Sequence, residues 1–226
     1  MQLYIGNKNY SSWSMRPWVL MRQFGIPFDE VMLRFDAMHA GSKFKRALQA
    51  VTPAGHVPVL VDDGFVVWDT LAIAEYLADR HPELALWPAE RLARARARCL
   101  CAEMHSGFSA LRSACPQNIE AQLPEVGQRL LTRQPEVATD LARIVGMWSK
   151  ALADSGGPFL FGAYTIADAY YAPVVGRIRT YGLPVPADLS PYLDAVWSSP
   201  GVAVWVQGAL AEADFLDFEE PYRKSR

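Results

Sequence analysis

TPAGHVPVLVDDGFVVWDT, residues 52–70, holds two short apolar runs, Val57 to Val61 and Phe65 to Trp68, separated by Asp62-Asp63-Gly64. Asp and Gly accept the positive φ that a tight turn demands, so the stretch reads as a β-hairpin. Proline has no N–H and is poorly tolerated in a central ladder, which leaves two readings of Pro58. It is either an ordinary trans proline that opens a strand, or a cis bond that turns the backbone toward a ligand. In the second case the carbonyl and N–H of Val57 are free to pair with an extended peptide. Asp69 and Thr70 stand directly before a helical period, where a side-chain oxygen caps the first exposed amides. A helix start requires no more than that. A carboxylate beside such amides can also hold an ammonium while the amides hold a carboxylate, a pairing suited to an α-amino acid head group.

Working outward, Leu3 to Gly6 reads as a strand, Ser14 to Phe24 as a helix, Phe28 to Leu33 as a strand and Gly41 to Ala50 as a helix. With the hairpin and a helix over Thr70 to Arg80, ended by His81-Pro82, the order is βαβαββα. Beyond Pro82 apolar residues recur at three- and four-residue spacing. The segments are Glu90 to Cys115, Pro124 to Asp154, Thr165 to Tyr181, Asp188 to Ser198 and Gly201 to Ala213. The expectation is an α+β chain with a small sheet domain, 1–82, followed by an all-helical domain, 83–226.

The chain's 226 residues are enough to bury two modest cores without metal or disulfide support. With 51% apolar and 20% charged residues and a net charge of -2, it carries no basic footprint for nucleic acid. Its three cysteines, Cys99, Cys101 and Cys115, are odd in number and clustered, which fits reduced thiols in a cytoplasmic protein better than a disulfide framework. MQLYIGNKNY lacks a signal-peptide pattern and no long apolar run follows, so neither membrane insertion nor a membrane partner is expected.

At the other end of the first domain, NYSSWSMRPW, residues 9–18, puts Ser11 and Ser12 on the turn between the first strand and first helix, near the positive end of the helix dipole. A hydroxyl donor and helix-end amides together can lower a thiol pKa by about two units, worth about 2.7 kcal/mol. Cap and turn residues are the plainer alternative.

These motifs resemble a cytosolic glutathione transferase over essentially the whole chain. The resemblance rests on S-S-x-S-x-R at Ser11 to Arg16, PAGHVPVL around Pro58 and D-T-x-A-I at Asp69 to Ile73. It extends to PFLFGAYTIADAYYAP, where Thr165 and Asp168 read as a capping box. The resemblance implies a thioredoxin-like first domain that grips glutathione, a helical second domain that shapes the electrophile site, no metal, detoxification chemistry and commonly a homodimer. It also implies that Pro58 is cis. The serine spacing is most similar to the zeta class, which points to Ser11 as thiolate stabiliser, with Ser12 an alternative. Carried over likewise, Trp13, Arg16, His56, Val57, Pro58, Asp69 and Thr70 contribute to glutathione binding. Zeta-class isomerases place cysteine where Trp13 stands, a departure that weighs against maleylacetoacetate isomerisation. His56 stands where a longer cation or amide often meets the glycyl carboxylate.

In CLCAEMHSGFSALRSAC, Met104, Phe108, Leu111 and Cys115 share one helical stripe while His105 and Arg112 lie on an adjoining one. His105, Phe108 and Arg112 are the candidates for the electrophile site, core packing and surface charge being the alternatives. The C-terminal DFLDFEEPYRKSR either folds back over the helices or frays. Three functions follow: conjugation of glutathione to a small electrophile, glutathione-dependent cis-trans isomerisation, or a binding module without catalysis, as in stringent starvation proteins.

Overall fold

The computed structural model describes residues 1–226. Strands β1 (Gln2–Ile5), β2 (Asp29–Met32), β3 (Val59–Asp62) and β4 (Phe65–Trp68) form one sheet in the order β2-β1-β3-β4. β1 runs parallel to β2, with Gln2 opposite Asp29, and antiparallel to β3; β3 and β4 close the hairpin with Asp62 opposite Phe65. Asp63 and Gly64 take the positive φ that this turn needs. Helices α1 (Ser12–Gln23), α2 (Lys43–Gln49) and α3 (Thr70–Arg80) complete the thioredoxin-like half.

Helix α1 explains how the two halves meet. Every residue from Ser14 to Met21 is buried, because α1 packs on the sheet and α3 and also on the later helices α8 (Ile166–Tyr181) and α10 (Pro200–Glu212). A helix apolar nearly all round is one that is covered on all sides. Leu3, Ile5, Trp18 and Leu77 therefore belong to the same apolar core as Trp148, Tyr171 and Trp205.

The helical half differs from the expected pattern at two places. The helix expected over residues 90–115 breaks into α4 (Arg91–Ser106) and α5 (Ser109–Ala114). Gly107 is extended there, and Phe108 is left-handed at φ 54, a conformation that opposes continuation of a right-handed helix. The helix expected over 124–154 is interrupted at Gln134, ahead of Pro135, which opens α7 (Pro135–Ser155) after α6 (Pro124–Arg133). A residue before proline is driven out of the α region, and Gln134 sits at ψ 83. Helix α9 (Ser190–Ser198) precedes α10, and its neighbour α8 is buried along its whole length except Arg179.

Helix α8 begins with the capping box. Thr165 Oγ1 accepts from the Ala167 amide at 3.3 Å, and Asp168 Oδ2 accepts from the Thr165 amide at 2.8 Å. Asp168 Oδ1 also accepts from the Leu160 amide at 3.1 Å, tying the preceding loop to the helix start. The C-terminal segment does not fray: Tyr222 donates to the Ala114 carbonyl at 2.7 Å, and Glu220 accepts from Tyr10 and Asn118, each at 2.8 Å.

Candidate active site

The turn from β1 into α1 is built by serines with different tasks. Ser11 is the N-cap of α1; it accepts from the Ser14 amide at 3.4 Å and its hydroxyl donates to Ser14 Oγ at 2.7 Å. Ser14 Oγ also accepts from the Gly6 amide at 3.1 Å, so this triad pins the turn to the strand. Ser12 faces elsewhere. Its Oγ accepts from Nη2 of Arg177 at 3.3 Å, a guanidinium that arrives from α8, while its carbonyl accepts from Nη1 of Arg16 at 3.3 Å.

Both arginines are buried, and burial pulls Arg16 down to about 9 and Arg177 down to about 10. Arg16 donates from Nε to the Tyr170 carbonyl at 3.1 Å and lies 4.1 Å from the Trp13 ring centroid. Arg112 lies over the same ring at 4.8 Å and donates to the His105 and Gly107 carbonyls. Trp13 is thus held between two guanidinium groups, with His105 edge-on at 5.3 Å.

Across the cleft, the Val57-Pro58 peptide is cis and directly precedes β3. Asp69 is held at φ 76, a left-handed value unusual for a residue with a Cβ. In that pose Oδ1 caps α3 by accepting from the Leu71 amide at 2.8 Å, and Oδ2 lies 3.3 Å from Nε2 of His105. Thr70 shares a 2.7 Å hydrogen bond with the Tyr170 hydroxyl, so the start of α3 is bonded to α8. Lys45 of α2 donates to the Gly55 carbonyl at 2.7 Å, and His56 is exposed with Nδ1 2.8 Å from the Ala54 carbonyl.

These groups enclose one cleft of two lobes that share Trp13, His56 and Val57. The larger lobe, about 400 Å³, is lined by Ser11, Ser12, Lys45, Arg112, Gln117 and Arg177 among others. The smaller, about 260 Å³, reaches Pro58, Asp69, Thr70 and His105. Gln117 is buried in the larger lobe with its Oε1 lacking any hydrogen-bond donor. Glu219 brings a carboxyl from the C-terminal segment to the same wall; burial, with Glu220 nearby, pushes it up to about 6. Tyr10 lines the lobe but its hydroxyl is committed to Glu220 and the Asp214 carbonyl, and burial raises it to about 12.

Residues 10–80 match the N-terminal domain of glutathione S-transferases, and residues 93–208 match the C-terminal domain. The chain belongs to the glutathione S-transferase family. It is a glutathione-dependent enzyme, as its isomerase relatives and transferase neighbours also support. A maleylacetoacetate isomerase of Rattus norvegicus is 28% identical over 191 residues, covering 84% of this chain and 82% of that protein. A stringent starvation protein A homolog of Coxiella burnetii is 24% identical over 190 residues, covering 82% and 79%. Among solved structures, a glutathione transferase homolog from Burkholderia gl BGR1 with bound glutathione superposes with TM-score 0.71 at 25% identity, covering 93% of this chain and 98% of that one.

Seen as a transferase cleft, the site gathers most but not all of the residues singled out in the sequence. Ser11, Ser12, Trp13, His56, Val57, Pro58, Asp69, Thr70, His105 and Arg112 line one or other lobe. Arg16 does not: it is 2% exposed and lies against the Trp13 ring. Phe108 does not either; after the helix break at Gly107 it belongs to the apolar core. Sequence reading missed Lys45, Gln117, Arg177 and Glu219. Arg177 carried a usable signal, a lone charge in the apolar run YYAPVVGRI, whereas Glu219 sits in a tail whose charges gave no direction.

No group of three or more His, Cys, Asp or Glu residues is arranged to hold a metal ion. No helix is long and apolar enough to cross a membrane.

Proposed function

We propose that the protein is a serine-type glutathione transferase whose sheet domain, residues 1–82, binds the tripeptide and whose helical domain, residues 83–226, shapes the electrophile site. The observation that carries this reading is the convergence on one cleft of the serine turn, the cis-proline peptide and the start of α3. The backbone of Val57, next to that peptide, offers an amide and a carbonyl to the cysteinyl unit. Asp69 and the first amides of α3 offer a carboxylate and N–H donors to the γ-glutamyl ammonium and carboxylate. A serine hydroxyl at the α1 turn donates a hydrogen bond to the sulfur and lowers its pKa; the thiol proton leaves to solvent. The thiolate lone pair then forms the S–C bond. The electron pair it displaces departs with a leaving group, or moves into the electrophile and takes a proton from water.

Arg112, Arg177 and Gln117 make the larger lobe polar and cationic, which suits an electrophile carrying a carboxylate or carbonyl. The same feature, with the isomerase relatives, supports a second reading: glutathione adds to a conjugated cis double bond, the adduct rotates, and elimination regenerates thiolate. Consumption of glutathione separates the two, since conjugation consumes it and isomerisation does not. A cytoplasmic homodimer completes the proposal. Phe65 and Trp68 on the edge strand β4 and Leu92 at the start of α4 are exposed and apolar, a surface suited to a second copy.

The test is glutathione binding by calorimetry, followed by conjugation kinetics for wild type and Asp69→Asn. The expected outcome is a KM for glutathione raised about ten-fold or more, as for a lost charged hydrogen bond, with kcat changed less. Wild type that takes up no glutathione sinks the proposal, and uptake without any lowering of the thiol pKa favours a binding module.

A further inference from the structure

We propose that Arg177 is the positioning residue that makes Ser12, not Ser11, the hydroxyl presented to the glutathione sulfur, and that its charge favours the thiolate. This inference rests on the reading of the cleft as a glutathione site and names which groups do the work there.

The two serines differ in where their protons go. Ser11 is 6% exposed, and its hydroxyl hydrogen is used inside the turn, donated to Ser14 Oγ at 2.7 Å. Ser12 is half-buried on the cleft wall, and its oxygen already accepts from Arg177. An oxygen that accepts from a cation becomes a better donor, and its own O–H remains free to point into the lobe. The carbonyl bond from Arg16 holds the Ser12 backbone while this happens.

Charge supplies the second argument. Buried cations are ordinarily paired with an acid, yet no ion pair in the protein includes Arg16, Arg112 or Arg177. Arg177 is held instead by neutral oxygens: its Nε donates to the Cys115 carbonyl at 2.8 Å and its Nη1 to the Pro173 carbonyl at 3.3 Å. The other titratable groups around it leave it short of negative charge. Cys115 is pushed by burial up to about 12 and Tyr181 is raised by burial, so both stay neutral near pH 7. Arg112 adds positive charge, and only Glu219 across the lobe can become an anion. Three guanidinium groups therefore surround Ser12 and Trp13 with no acid bonded to them. A thiolate bound beside Ser12 supplies the missing charge, and each cation in turn favours the ionised sulfur over the thiol.

The test is the pKa of the bound glutathione thiol, read from thiolate ultraviolet absorbance across a pH titration of the saturated protein. Arg177→Gln is expected to raise it by about 1–2 units, the range for loss of a nearby opposite charge. Arg177→Lys keeps the cation and is expected to recover more than half of that shift. Ser12→Ala raises the thiol pKa as well, Ser11→Ala raises it less, and the Ser12→Ala/Arg177→Gln pair adds less than the sum of its parts. Glutathione affinity at pH values where the thiol is protonated in every variant is expected to change little, which a merely structural role would not allow.

An unmoved thiol pKa in Arg177→Gln overturns the inference while leaving the transferase reading intact. Wild type whose bound thiol is unshifted overturns both. Should Arg177→Gln fail to fold, the serine pair decides: a larger effect from Ser11→Ala than from Ser12→Ala overturns the assignment.

Discussion

Asp168→Ala removes the one side chain on which the start of α8 and the loop before it both depend. Its carboxylate is fully buried and accepts from the Thr165 amide, the Leu160 amide and the Thr165 hydroxyl at 2.8, 3.1 and 3.2 Å. Alanine leaves two backbone N–H groups buried without partners, at about 1–3 kcal/mol each; the hydroxyl can turn to other acceptors. The loss centres on about 4 kcal/mol. For a chain of this size one kcal/mol moves the melting temperature by about 2–4 °C, so the expected drop is about 8–16 °C. Calorimetry and urea unfolding of wild type and variant measure it. Asp168→Asn separates charge from hydrogen bonding. Burial, acting against those donors, pushes the carboxyl up from an ordinary 3.8 to about 6. A folded pKa above the unfolded one means the associated stability is complete below about 3.8 and is lost as pH rises through about 6, amounting to about 3 kcal/mol. The asparagine variant cannot titrate, so wild type's advantage over it is expected to be greater at about pH 5 than at about pH 8. An Asp168→Ala protein melting within about 2 °C of wild type refutes the reasoning.

Other expectations follow from single contacts. A Cβ on Gly127 would clash with the Tyr181 carbonyl oxygen, where α6 crosses α8; Gly127→Ala is expected to cost about 1–3 kcal/mol, seen as a lower urea midpoint at constant slope, and an unchanged midpoint contradicts it. Tyr10→Phe deletes the 2.8 Å bond to Glu220 that holds the C-terminal segment against the cleft. Losing about 1.5 kcal/mol there raises tryptic cleavage after Arg223 about ten-fold, and wild-type cleavage rates in the variant would show the segment to be held by other contacts. Because Glu219 is pushed up to about 6, it ionises as pH passes that value and then repels an anionic electrophile across the larger lobe. For a carboxylate-bearing substrate at low concentration, the wild-type rate relative to Glu219→Gln is expected to fall as pH rises through about 6, and a ratio that does not change with pH refutes it.

The local chemistry of this chain was legible without coordinates. Asp63-Gly64 demanded a turn, Pro82 stopped a helix, Thr165 and Asp168 announced a cap, and the βαβαββα order with helices behind it described the transferase fold. All of these depend on residues within a few positions of one another, where backbone sterics and hydrogen bonding act directly. The helix breaks were less visible: a left-handed Phe108 and the turn ahead of Pro135 interrupt patterns whose apolar spacing continues across them.

How the two serines are engaged was beyond the sequence. Ser11 and Ser12 are adjacent and chemically identical, and they differ only in partners: Ser14, three positions away, for one, and Arg177, 165 positions away, for the other. The same holds for Arg16, whose place against Trp13 depends on Tyr170 of a distant helix. Glu219 becomes a wall of the site because the C-terminal segment folds back onto Tyr10. The sequence alone thus determined the elements and the family's motifs, since those follow from near neighbours along the chain. Packing of α8 and the C-terminal segment against α1 determined which side chains share the cleft, because burial, charge compensation and hydrogen-bond partners are set by residues that meet only once the chain has folded.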